Sequence, residues 1–267
     1  MPTVTALHVY PVKSARGLSV GAALVGDRGF EHDRRFMVVD RAGLFVSQRT
    51  APRLALVEVW LDGDTLRIAA PGAGVLPVPL RPVAGPPRTV DVWGDRAQAI
   101  ALGDEAARYF SAFLGLDCEL VYMPDASRRP IHAAYAPASG ADRVSFADGF
   151  PFLLTTTESL ADLASRGAAV PMDRFRPNLV VTGAPPFAED GWRRIRVGPV
   201  VFHVVKPCAR CAIITIDQRS GIPVGPEPLA TLATYRRGTE SDVLFGQNLV
   251  HEGRGAISVG DSVDVLE

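Results

Sequence analysis

Short apolar runs rich in β-branched residues, cut at regular intervals by Gly, Pro and Asp, dominate the hydrophobic pattern of this chain. Such runs predict strands at Val4–Val9, Phe36–Val39, Ala55–Leu61, Leu66–Ala69, Thr89–Val92, Leu120–Tyr122, Leu179–Thr182, Arg194–Val197, Val200–Val205, Ala212–Ile216 and Ala256–Val259. Turn chemistry such as Asp62-Gly63-Asp64 and Gly198-Pro199 bounds them. Val263–Leu266 reads as a last strand. Helical spacing is rarer. Asp104–Gly115 places apolar residues at 106, 107, 110, 113 and 114 and ends on a glycine. Thr157–Arg166 reads as a helix capped by Thr157, with Glu158 and Asp162 near its positive end, and Glu227–Arg236 as a weaker one opened by Pro228. The pattern implies a mostly β (α+β) protein built from barrel-like sheets with a few helices. A compositional shift near residue 120 divides it into 1–120 and 121–267, and Ser127–Gly140 reads as a surface loop or lid.

Composition narrows the function classes. The 28 Lys and Arg balance 29 Asp and Glu, a formal charge of -1, so neither a nucleic-acid-binding excess nor an acidic disordered tail is present. No basic leader with an apolar run opens the chain, and no apolar stretch has the ~18 residues that span a membrane. Three cysteines without a leader imply a reducing cytoplasm in which thiols stay available as ligands.

The richest stretch is Lys206-Pro207-Cys208-Ala209-Arg210-Cys211-Ala212, which runs straight into the apolar segment from Ile213 to Ile216. A redox CxxC needs its cysteines at a helix N-terminus, and the β-branched residues that follow argue against one. Structural zinc needs two more ligands at suitable spacing, whereas Cys118 stands alone among five scattered histidines. A soft thiolate beside a guanidinium instead suits a soft metal held with an anionic ligand. Other loops carry cations and hydroxyls at strand ends: Lys13-Ser14, His32-Asp33-Arg34-Arg35, Thr155-Thr156-Thr157-Glu158-Ser159, and Arg176-Pro177-Asn178. Loops of this kind suit a phosphate-bearing ligand.

Six segments in order carry a family resemblance: Tyr10-Pro11-Val12-Lys13-Ser14, Asp33-Arg34-Arg35-Phe36, Pro52-Arg53-Leu54, Phe175-Arg176-Pro177-Asn178, Pro207-Cys208-Ala209-Arg210-Cys211 and Phe245-Gly246-Gln247-Asn248. Together they resemble a MOSC-domain protein with an N-terminal MOSC β-barrel region, the architecture of molybdenum-cofactor reductases of N-hydroxylated compounds. The resemblance implies an N-terminal β-barrel-like subdomain over 1–120 packed on a MOSC β-barrel over 121–267, with molybdenum cofactor (Mo-molybdopterin) in the cleft between them. It implies Cys211 as molybdenum ligand and catalytic centre, and Lys13, Ser14, Arg35, Arg176, Asn178 and Arg210 as holders of the pterin and its phosphate. Thr156, Thr157 and Ser159 fall in the family's hydroxyl-rich loop. Asn248 stands where relatives often carry a tyrosine near the cofactor, and Arg34 can exchange roles with Arg35.

The implied reaction is reduction of amidoximes, hydroxylamines and hydroxylated bases. Three cysteines cannot also hold a four-thiolate iron–sulfur cluster, so electrons are expected from a separate ferredoxin, flavoprotein or cytochrome. The alternative implied by MOSC domains elsewhere is a carrier of molybdenum cofactor or sulfur without its own turnover. No nucleic-acid or membrane partner is expected.

Overall fold

The structure, a computed structural model, describes residues 1–138 and 140–267. Its largest unit is a sheet of eight strands. The two longest, Val200–Arg210 and Val243–Glu252, run antiparallel at its centre, and Phe152–Thr156, Leu179–Thr182 and Thr3–Val9 follow outward from the second of them. Phe152–Thr156 and Leu179–Thr182 pair in parallel, and helix α2, Thr157–Ser165, lies in the connection between them. On the other side come Arg194–Val197 and Val263–Val265. A bridge between Thr3 and Ser262, with the Val4 N–H donating to Asp261 (2.9 Å) and the Val263 N–H to Pro2 (2.8 Å), carries the last strand back to the first and curls the sheet toward closure. Alternating residues point inward to a core of Leu7, Phe152, Leu154, Leu179, Phe202 and Leu249, all at most 1% exposed.

A second region comprises Phe36–Asp40, Cys118–Tyr122, Asp95–Ala101 and Pro87–Val92 in one sheet, and Glu58–Asp62, Thr65–Ala70 and Gly74–Pro79 in another. Helix α1, Asp104–Leu114, buries Ala106, Phe110 and Phe113 and stops where Gly115 adopts φ 67°, a left-handed C-cap that glycine enters without steric cost. Its core gathers Val12, Phe36, Val38, Leu54, Leu66, Ile68, Phe110 and Leu120. The two regions interlock: Thr3–Val9 belongs to the large sheet, and Ala22–Gly26 pairs with Gly255–Ser258.

Most predicted strands occur within a residue or two of their expected limits, and several elements differ. Ala212–Ile216 is not a strand. Residues Ala212–Thr215 form a 3-10 turn, closed by Thr215 Oγ1 donating to the Ala212 carbonyl (2.8 Å), and extended pairing resumes only at Ile216–Asp217. Ile214, Thr215 and Ile216 are buried in succession, a pattern that strand alternation does not allow. Pro52 opens another 3-10 turn, so the strand expected from Ala55 starts at Glu58. The N-cap of α2 is Thr156 rather than Thr157, its Oγ1 accepting the Ser159 N–H at 3.2 Å. The third helix, α3, is Leu229–Tyr235. Asp95–Ala101 was not expected as a strand. It pairs with Pro87–Val92 through a tight turn at Trp93 and Gly94, whose φ values are 60° and 88°.

Candidate active site

Register irregularities in the strand Val200–Arg210 aim its end at the site. Pro207 has no N–H to give the ladder, and pairing with Val243–Glu252 shifts between Val204 and Lys206 and again between Pro207 and Ala209. Cys208, within the second of these irregularities, and Cys211, beyond it, are both half-buried and reach a cleft of about 150 Å³. Lys13, Ser14, Arg34, Arg174, Arg176, Asn178, Arg210 and Asn248 share its wall with Asp148 and Phe150. Seven expected residues are thus brought together there: Lys13, Ser14, Arg176, Asn178, Arg210, Cys211 and Asn248.

The doublet Arg34-Arg35 divides. Arg34 has φ 48° and turns into the cleft wall, donating to Asp33 Oδ2 at 2.6 Å and to Asn178 Oδ1 at 2.9 Å. Arg35, at the mouth of the following strand, points elsewhere: it pairs with Asp125 at 2.7 Å, bonds the Met123 carbonyl and lies over the Tyr122 ring. The alternation of side chains at a strand start sends neighbours to opposite sides. The expectation for Arg35 at this cleft is therefore corrected to Arg34. The hydroxyl loop is corrected as well. Thr156 and Ser159 are fully buried on Glu189, with Ser159 Oγ donating to Glu189 Oε1 at 2.9 Å, and Thr157 Oγ1 donates to Thr182 at 2.8 Å; none of the three lines the cleft. Helix capping engages Thr156, while Glu189 and the Phe187 N–H claim Ser159, and Thr182 and Glu158 claim Thr157.

Cations dominate the electrostatics of the cleft. The Tyr10 ring, under the guanidinium groups of Arg34 (4.3 Å) and Arg176 (4.4 Å), donates its hydroxyl to the Pro177 carbonyl at 3.0 Å. Burial raises Tyr10 to about 12, against the pull of the two cations, so it stays neutral. Burial, with Arg34 nearby, lowers Arg176 to about 10, which still leaves it charged at neutral pH. Arg176 holds φ 55°, and among the described residues its guanidinium has neither salt bridge nor hydrogen bond. Arg210 donates to the carbonyls of Phe245 (2.9 Å) and Phe175 (3.0 Å), while its Nη2 is buried with no partner. A buried, unpaired guanidinium nitrogen is costly unless an acceptor arrives.

Lys13 is 5% exposed, donates to the Phe146 carbonyl at 2.8 Å and pairs with Asp148. Burial lowers its pKa and Asp148 opposes the shift. Desolvation works to raise Asp148, but the Lys13 ammonium, the Trp93 Nε1–H bond (3.1 Å) and Arg49 together hold it well below the ordinary carboxylate range. Its side chain nevertheless remains 65% exposed at the rim. Asn178 is saturated: Oδ1 accepts from Arg34 and the Leu153 N–H, and Nδ2 donates to the His8 carbonyl and Asp33. It orients Arg34 and has no bond left for a ligand. Burial raises the Cys208 thiol and so disfavours its thiolate.

Asp148, Arg49 and Arg174 were missed by sequence reasoning. Asp148-Gly149 between aromatic residues ahead of the strand Phe152–Thr156 was the available signal. No cluster of three or more His, Cys, Asp and Glu side chains suited to a metal exists among the described residues. Any metal here would depend on Cys211 and on ligands that it brings.

Residues 1–117 match the MOSC N-terminal beta barrel domain and residues 141–264 the MOSC domain. The mitochondrial amidoxime-reducing component 1 of Mus musculus is 36% identical over 282 residues, covering 99% of this chain and 82% of that protein. The chain belongs to the amidoxime-reducing component family. Its Homo sapiens component 1 relative is 34% identical over 99% of this chain and 83% of its own length. A molybdenum cofactor sulfurase of Danio rerio is 32% identical over 94% of this chain, which corresponds to 32% of that longer protein. No helix among the described residues is long and apolar enough to cross a membrane.

Proposed function

We propose that this member of the amidoxime-reducing component family binds molybdenum cofactor in the Cys211 cleft and reduces N-hydroxylated compounds with electrons from a separate protein. The observation that carries the reading is the pairing of a half-buried Cys211 with two guanidinium groups that lack an anion, the orphaned Nη2 of Arg210 and the unpaired Arg176. Those residues fit a thiolate-ligated, phosphate-bearing group.

Cys211 would ligate the molybdenum. Arg176, Arg210 and Lys13 would hold the phosphate and pterin, with Arg34, Ser14 and Asn248 completing the wall. When bound, the cofactor supplies the two-electron chemistry that cleaves the N–O bond. Asp148, kept ionised at an open rim, places a negative charge beside the entering substrate, the complement of an amidine-like N–H group. Lys13 neutralises that carboxylate on its inner side and so keeps it from repelling an anionic ligand deeper in the cleft. All three cysteines are free, which suits a reducing compartment such as the cytoplasm.

The test is turnover of benzamidoxime by protein purified with its cofactor, using dithionite-reduced viologen as electron source. Production of benzamidine, with none from NADH or NADPH alone, is the expected result, since the chain carries no glycine-rich nicotinamide fingerprint. Cofactor-loaded protein that yields no amidine with the viologen would favour the carrier reading.

A further inference from the structure

A second cleft, of about 250 Å³, adjoins the first through the doublet that separates them: Arg34 lines one and Arg35 the other. Arg28, His32, Arg35, Arg81, Arg143 and Arg254 converge on it. They come from distant parts of the chain, namely the Gly26–Gly29 turn, the segment before Phe36, the loop after Gly74–Pro79, the long loop before Phe152, and the turn between Val243–Glu252 and Gly255–Ser258. Facing them are Asp27, Glu31 and Asp125. Five guanidinium groups thus meet three carboxylates, or four when Asp142, which bonds Arg143 at 2.8 Å, is counted. In a chain whose net charge is -1, the excess is local.

Arg28 is the innermost of these cations. It is 7% exposed and has no salt bridge among the described residues; its guanidinium donates to the Asp125 carbonyl at 2.8 Å, to the Ser127 carbonyl and to Met123 Sδ at 3.2 Å. Burial, and then the like charges of Arg35 and Arg143, lower it to about 10. Arg35, Arg81, Arg143 and Arg254 each pair with a carboxylate, so Arg28, buried among them without one, is the excess cation that a bound anion would meet. The backbone explains how the two clefts divide the doublet. His32 and Arg34 both adopt left-handed φ, 67° and 48°, a conformation costly to non-glycine residues and retained where the surroundings impose it. It is this double reversal that turns Arg34 toward one cleft and leaves His32 and Arg35 in the other.

We propose that the second cleft is a binding site for a small, multiply charged phosphate compound of about the size of a diphosphate. Arg28 and Arg35 form its floor, and the exposed Arg81 and Arg254, which pair with Glu31 and Asp27, would turn to the ligand from the rim. Fork-shaped guanidinium groups from several directions match the oxygens of a diphosphate better than a single carboxylate. The cleft is too small for a folded partner to enter, and it draws on none of the residues assigned to the cofactor.

The experiment is calorimetric titration of cofactor-loaded protein with inorganic pyrophosphate, at about 0.05 M and about 0.3 M salt. The parent is compared with the double variant Arg81→Gln/Arg254→Gln, whose side chains are 65% and 71% exposed, and, both measured without cofactor, with Arg176→Ala in the first cleft. Saturable binding to the parent, weakened by salt and weakened roughly ten-fold or more in the double variant, is expected, with pterin content unchanged. Arg176→Ala should bind pyrophosphate as the parent does. No saturable heat, equal affinity in parent and double variant, or loss confined to Arg176→Ala would each overturn the assignment, the last by placing pyrophosphate in the first cleft.

Discussion

Truncating Arg34 and Arg35 one at a time separates two residues that the sequence leaves equivalent. The Arg34 side chain is 13% exposed and its partner Asp33 only 1%. After Arg34→Ala, Asp33 would keep the Tyr10 N–H at 2.8 Å and Asn178 Nδ2 at 3.2 Å but lose its cation. Removing one partner of a buried pair costs about 3–5 kcal/mol, most of it the penalty of stranding the other charge. Arg35 pairs with an Asp125 that is 84% exposed, a contact worth under about 1 kcal/mol, with some addition from its Met123 carbonyl bond. At about 2–4 °C per kcal/mol for a protein of this size, Arg34→Ala should lower Tm by roughly 6–20 °C and Arg35→Ala by a few degrees at most.

Acidity should also distinguish the two. Burial already raises Asp33, and loss of Arg34 raises it further. A carboxyl whose folded pKa lies above its unfolded value contributes stability below the unfolded value and loses it as pH rises through the folded one. The Arg34→Ala deficit should therefore shrink between about pH 8 and about pH 5, while that of Arg35→Ala should stay flat. Denaturation curves of cofactor-free protein across this range, and pterin measured per chain in protein purified with its cofactor, supply the assay. Pterin should fall several-fold in Arg34→Ala alone. Equal losses in the two variants, or a larger loss in Arg35→Ala, would refute the placement of Arg34 at the cleft.

Three further outcomes are expected. Cys211→Ser should lose molybdenum and turnover with an unchanged melting curve, because a hydroxyl is a poor ligand for a soft centre, while Cys208→Ser should keep both; metal analysis decides, and the reverse pattern would reassign the ligand. Glu189, fully buried on Thr156 and Ser159, has its pKa raised by burial, so the native state holds its proton longer and stability falls as pH rises through the folded value; Glu189→Gln should remove that slope in denaturation series, and parallel curves would count against it. Arg129 is 1% exposed and donates to the carbonyls of Ser145 (3.0 Å), Ala147 and Asp148 (2.8 Å) and to Asp95, so Arg129→Met should cost more than about 3 kcal/mol, with a loss below about 1 kcal/mol contradicting the network.

What was legible in the sequence and what was not follows from the range of the forces involved. Helix α1 could be read because its apolar spacing and terminal glycine act within a few turns of chain, and the strand Thr3–Val9 because its alternation is local. Asp95–Ala101 escaped because its inward residues are alanines at 97, 99 and 101, which carry weak strand preference until the partner strand supplies the packing. The stretch after Cys211 is β-branched yet forms a 3-10 turn, since burying Ile214 beneath Phe175 and Phe245 overrides its intrinsic preference.

At the site the same distinction holds. The cysteine pair and the single cations Lys13, Arg176 and Arg210 were visible as residue types at strand ends, and the fold brings them to one cleft. The choice between Arg34 and Arg35, by contrast, depends on one left-handed residue and on an Asn178 that lies 144 positions further along the chain. The hydroxyls of Thr156 and Ser159 carry the composition of a phosphate loop, but a buried Glu189 some 30 residues later claims them. Residue type can nominate a ligand group; only the partner that reaches it first decides whether any of its hydrogen bonds remain for a ligand.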